Sequence, residues 1–119
     1  MSEGQTVVET LGIARELTAF QRNILTILAE EPRYGLVVKG ELETYYDDDV
    51  NYGRLYPNLD DLVEMGLVKK SELDKPTNQY ALTEDGYQAL LDQLAWSFDK
   101  LIVDSDRADD NEDLVDQFR

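Results

Sequence analysis

Cysteine and histidine are both missing from this chain of 119 residues. Their absence removes disulfides, thiolate nucleophiles, Cys/His zinc sites and imidazole general bases. Met1 and Met65 are the only oxidisable sulfurs, and Met65 falls at a packing position. No apolar run approaches the roughly 18 residues that a membrane-spanning helix needs. The opening Met1-Ser2-Glu3-Gly4 lacks the basic-then-apolar order of a secretory signal, so the expected compartment is the cytoplasm. There is no glycine-rich phosphate loop and no convincing carboxylate pair, so neither an enzyme nor a cofactor is expected. Neither acidic cluster has the spacing of a calcium-binding loop, so no metal site is expected either. Basic residues are scarce too, 11 against 26 acidic ones, for a net charge of −15.

Two readings of that charge compete. One is a phosphate mimic or a partner of basic proteins. The other is a salt-rich cytoplasm, where ions screen self-repulsion and a dense carboxylate surface keeps the protein hydrated. The acids are spread between apolar positions rather than gathered in one block, which favours salt adaptation. An apolar content of 42% suffices for one modest core.

Residues 1–17 read as an arm or short helix. Thr18 and Gln21 form a capping-box pattern ahead of a helix over about Ala19 to Glu30, stopped by Pro32. Tyr34-Gly35 reads as a turn, followed by a second helix from about Leu36 to Tyr46. Asp47-Asp48-Asp49 ends it. Asn51 is a candidate cap for a third helix reaching Met65, with Leu55, Leu59 and Leu62 on one face and Gly66 as a left-handed terminator. Pro57 predicts a kink or a tightened first part. Leu67 to Ser71 and Gln79 to Leu82 read as the strands of a hairpin with a loop over 72–78. Thr83 caps a last helix whose apolar stripe runs to Ile102, and an acidic tail follows. The expected organisation is an arm at 1–17, a winged helix-turn-helix at 18–83, a dimerisation helix at 84–103 and a tail at 104–119. The fold class is α+β, mostly α.

Helix, helix, helix, hairpin, helix is the order of a winged DNA reader, and it also serves protein-binding modules. Three stretches narrow the choice. They are Pro32-Arg33-Tyr34-Gly35-Leu36, then Gly53-Arg54-Leu55-Tyr56-Pro57-Asn58-Leu59 through Gly66-Leu67-Val68, then Gln79-Tyr80-Ala81-Leu82-Thr83-Glu84-Asp85-Gly86. Together they resemble the PadR family of transcriptional regulators over about Leu17 to Leu101. The acidic surface is similar to that of haloarchaeal members that respond to reactive oxygen species. The resemblance implies a homodimer held largely by the C-terminal helix, palindromic operators and a part in the oxidative-stress response. Only one substantial helix follows the wing, which argues against a large effector pocket.

On physical grounds the base-reading candidates are Asn51, Tyr52, Arg54 and Asn58, because Arg can grip guanine and Asn adenine with two hydrogen bonds. Arg54 has a second role open to it, a surface ion pair with Asp61. Asn51 is a helix cap before it is a reader, Tyr52 divides between phosphate contact and packing, and Tyr56 belongs to the core. Arg33 and Lys39 are placed to touch backbone phosphates, and Lys69, Lys70 and Lys75 lie on or near the wing. Residues 32–83 carry six basic and ten acidic groups, residues 84–119 three and eleven, so the expected DNA-facing half is the less acidic one. A net-negative protein in molar salt gains little from counterion release. Solvent cations such as potassium, held near Asp47, Asp48 or Asp49, are the expected intermediaries. On the last helix Tyr87, Leu91, Leu94, Phe98 and Leu101 share a stripe, with Trp96 opposite; a second copy is the expected cover, and residues 1–17 of the same chain are the alternative. The competing reading is a winged-helix protein-interaction module without specific DNA binding.

Overall fold

The computed structural model describes residues 16–74 and 77–102. All but the last two residues of the 1–17 arm, the 104–119 tail and Lys75 lie outside the described residues. The element order is α1 (Ala19–Glu30), β1 (Arg33–Tyr34), α2 (Gly35–Tyr46), α3 (Tyr52–Glu64), β2 (Val68–Asp74), β3 (Thr77–Leu82) and α4 (Glu84–Leu101).

Each helix starts where a side chain can satisfy its orphan amide groups, except α2, whose cap residue Tyr34 makes no side-chain bond. At α1 the capping box is complete. Gln21 N donates to Thr18 Oγ1 at 3.1 Å, and Thr18 N donates to Gln21 Oε1 at 3.1 Å. At α3 the Arg54 amide donates to Asn51 Oδ1 at 2.8 Å. At α4 the Gly86 amide donates to Thr83 Oγ1 at 3.0 Å, with Glu84 and Asp85 in the favourable first turn. Helix α3 closes on Gly66, whose φ of 79° needs no side chain. Gly66 N reaches Val63 O at 3.0 Å and Leu67 N reaches Leu62 O at 3.0 Å, the double bond of a Schellman motif.

Leu55, Leu59 and Leu62 of α3 meet Ile24 and Leu25 of α1 and Val38 and Leu42 of α2 in one core, each fully buried. Leu67, Val68 and Tyr80 close it from the wing, and Ala89 from α4. Truncating any of these leucines to Ala would cost about 2–5 kcal/mol.

The structure corrects the expected elements at two places. The sheet has three strands, not two, in the order β1-β3-β2, all antiparallel. Arg33 and Tyr34, expected to lead into or form a turn, pair with Tyr80 and Gln79. Two residues carry no periodicity of their own, and β3's free edge recruits them. The wing strands also run further than expected, to Asp74 and from Thr77, with a bulge between Glu72 and Asp74. Backbone pairing in a solvated ribbon does not require apolar side chains. Pro57 lies inside α3, which runs unbroken from Tyr52 to Glu64. The tightening expected nearby is present, because Arg54 N reaches Asn51 O at 3.2 Å in addition to the Leu55 N bond at 3.1 Å. Pro57 has no N–H for the Gly53 carbonyl, but both residues are exposed and water can serve it.

Gly86 sits where α4 crosses the base of the wing. A Cβ there would collide with the Leu67 carbonyl and the Leu82 side chain. Helix propensity alone makes Gly86→Ala neutral or stabilising. Overpacking against a backbone carbonyl predicts the opposite sign, a loss of about 1–3 kcal/mol. Urea melts at molar KCl read that sign, and a stabilised variant would show that α4 has slack at this crossing.

Candidate nucleic-acid interface

The outward ridge of α3 begins with Gly53 and Pro57 and continues through Asp60, Asp61 and Glu64, all exposed. Its first half is therefore low and uncharged, and its second half acidic. Tyr52 flanks the first half on one side and Arg54 on the other, with Leu55 and Leu59 turned into the core. The helix's own carboxylates lie on its second half and the peptide dipole favours negative charge at its first turn, although Asp47, Asp48 and Asp49 stand exposed just before it.

The structure gathers Lys39, Asn51, Tyr52 and Arg54 around that turn. Lys39 Nζ lies 5.2 Å from the Tyr52 ring centre, and Tyr52 stacks on Tyr56 with ring centres 6.0 Å apart. Tyr52 is 57% exposed, whereas Tyr56 is half-buried and packs against the core. Asn51 uses its side-chain oxygen as the cap. Arg54 makes no ion pair with Asp61. Its guanidinium carbon lies 4.0 Å from the Phe20 ring centre and 5.9 Å from that of Tyr46. Tyr46 is held in turn by Asn23, whose amide donates to the phenol oxygen at 2.9 Å.

Other candidates are already engaged within the chain. Asn58 is half-buried; its amide donates to Arg54 O at 2.7 Å and its oxygen accepts from Gln21 Nε2 at 3.2 Å. It pins α3 to α1, and reading a base would cost both bonds. Arg33 is bound by Glu31 at 2.7 Å, Glu30 at 3.2 Å and Glu41 at 3.6 Å, with its side chain 17% exposed. Three carboxylates thus hold the end of α1, β1 and α2 together around one guanidinium. Lys39 is paired with Glu43 at 3.0 Å. On β2, Lys69 is exposed and Lys70 half-buried opposite Tyr80. Among the described residues Arg54, Lys69 and Lys70 have no carboxylate partner. Nothing local in the sequence links Phe20 or the capping residue Gln21 to Arg54 or Asn58 across more than thirty positions.

On α4 the buried residues are Gly86 and Ala89, and Leu90 is partly covered. Tyr87, Leu91, Leu94 and Leu101 stay exposed, Leu94 at 58%. Phe98 is half-buried. Trp96 is 63% exposed with Lys100 Nζ 5.8 Å from its ring centre. Among the described residues no helix is long and apolar enough to cross a membrane, and no group of side chains is arranged to hold a metal ion.

Glu43 ties the turn between α2 and α3. It accepts from Val50 N at 3.0 Å and from Lys39 at 3.0 Å. The Val50 amide first and the Lys39 ammonium second hold its carboxyl below the ordinary value of 4.5, and Glu43 raises Lys39 in return. A lowered carboxylate contributes stability that is fully present above pH 4.5 and is lost as pH falls through the lowered value. Glu43→Gln should therefore melt earlier than the parent in urea at neutral pH, with the gap closing on acidification. A gap that does not depend on pH would refute a charge-based tie.

The model of the "Transcriptional regulator PadR-like family" matches residues 24–92. No curated protein matches the chain. Among solved structures, RosR of H. salinarum is 60% identical over 87% of this chain and 94% of that one, with a TM-score of 0.80. A complex of that protein, hsRosR-S4, is 58% identical over 91% and 94%, with a TM-score of 0.82. A transcriptional regulator from Clostridium thermocellum shares the fold at 19% identity, over 71% of this chain and 85% of that one, with a TM-score of 0.58.

Proposed function

Because the chain belongs to the PadR-like family of transcriptional regulators, we propose that it reads operator DNA with the first turn of α3 and does so as a homodimer in a salt-rich cytoplasm. The observation that carries this reading is Arg54. It is exposed and has no carboxylate partner among the described residues of a strongly acidic chain, on a helix whose other face is locked into the core. Tyr52 stands beside it to contact phosphate, Lys39 would have to leave Glu43 to do the same, and Lys69 and Lys70 extend the contact along the wing, with Lys75 added from the sequence alone. The similarity to RosR, solved in several complexes, supports the same reading; a part in the oxidative-stress response is proposed from the family resemblance alone.

The dimer rests on α4. Tyr87, Leu91, Leu94 and Leu101, with half-buried Phe98, form one stripe that is exposed among the described residues, and such a stripe on a regulator is covered most simply by its own symmetry mate. Two-fold symmetry would set the α3 helices about one DNA turn apart and match palindromic operators. Cations such as potassium would sit between phosphates and carboxylates, Asp47, Asp48 and Asp49 among them, all three exposed beside the α3 start.

Three measurements test this reading. Arg54→Ala should weaken specific binding by about 1–3 kcal/mol in fluorescence anisotropy at molar KCl. An unchanged affinity would favour a protein-interaction module instead. Leu91→Glu with Leu94→Glu should sediment as a monomer where the parent is a dimer, and a surviving dimer would move the interface elsewhere. With bridging cations, affinity holds or rises as KCl increases; a steep fall would restore ordinary counterion release.

A further inference from the structure

We propose that Phe20, which lies on α1 outside the reading helix, is a positioning residue that presents the edge of the Arg54 guanidinium to guanine. This inference rests on the DNA-reading role of Arg54 proposed above. Phe20 is 4% exposed, with its ring sealed in the core on one side and covered by Arg54 on the other. The guanidinium carbon lies over the ring at 4.0 Å, a cation–π distance that a guanidinium parallel to the ring would give. A stacked guanidinium uses its face and leaves its in-plane N–H donors free, which is the fork that a guanine O6/N7 pair accepts.

The surroundings fix the other degrees of freedom. Asn51 caps the Arg54 amide at 2.8 Å, and Asn58 takes its carbonyl at 2.7 Å while being held by Gln21, the neighbour of Phe20. Tyr46, anchored by Asn23, flanks the guanidinium at 5.9 Å. An ion pair would hold Arg54 through the same N–H edge that a base needs. It would also be weakened in molar salt, where screening acts over about 3 Å. Stacking does neither. A long side chain preset in this way loses less freedom on binding.

The test uses the full chain and a duplex enriched by it from a random library at molar KCl. Its companions are the same duplex with 7-deazaguanine, which lacks the N7 acceptor, and an unselected duplex. Phe20→Leu should lose about tenfold in affinity for the enriched duplex and become insensitive to 7-deazaguanine. Its binding to the unselected duplex should not change. Phe20→Tyr should keep both properties. If Arg54→Ala abolishes selectivity while Phe20→Leu keeps it, the positioning role is overturned and the reading role stands. If no duplex is enriched, or Arg54→Ala binds as the parent does, both fall together. Should Phe20→Leu fail to fold, the Arg54 Nε–H resonance of the unmodified protein decides. An upfield ring-current shift supports the stack, and a shift typical of a free arginine overturns it.

Discussion

A chain with more than twice as many acids as bases has few cations to place, and their placement organises this molecule. Arg33 gathers three carboxylates from α1, the following loop and α2. Lys39 holds Glu43, which in turn holds the backbone amide that opens the approach to α3. These positive groups act as internal ties. Exposed ion pairs contribute little on their own, but half-buried ones that close several elements at once restrict how those elements can move. What remains for an external polyanion is a small set, with Arg54 at its centre and lysines on the wing.

Much of this was legible in the sequence because it depends on neighbours. Capping at Thr18, Asn51 and Thr83 needs only a suitable side chain and an amide two or three positions on. The leucine spacing of α3 and the glycine that ends it obey the helical repeat. The third strand did not announce itself, since Arg33 and Tyr34 are ordered by β3, more than forty positions away. The site divides along the same line. Sequence reasoning placed Asn51, Tyr52 and Arg54 at the first turn of α3, where the structure has them. It could not show that Asn58 is taken by Gln21 or that Arg33 is surrounded by carboxylates, because both depend on how α1 and α2 cross the rest of the molecule.

The aromatic residues explain how order is kept near the site when charge is unreliable. Tyr52 lies on Tyr56, Phe20 stacks with Tyr46, and cationic groups rest on ring faces at Tyr52 and Phe20. Quadrupole and dispersion contacts act at van der Waals range, so dissolved ions do not come between the partners. In the salt-rich solvent proposed above, the acidic exterior and the aromatic interior edge would answer one condition: the first keeps water bound, and the second keeps side chains in place without relying on long-range attraction.

The junction between the wing and α4 carries a mechanical consequence. The Thr83 hydroxyl donates to Gly66 O at 2.7 Å and accepts from Gly86 N, Thr83 N donates to Leu67 O at 3.1 Å, and Gly86 presses on that same carbonyl. The last turn of α3, the root of β2 and the first turn of α4 are therefore tied at a single point, and any change in the angle between α4 and α3 has to strain or break these bonds.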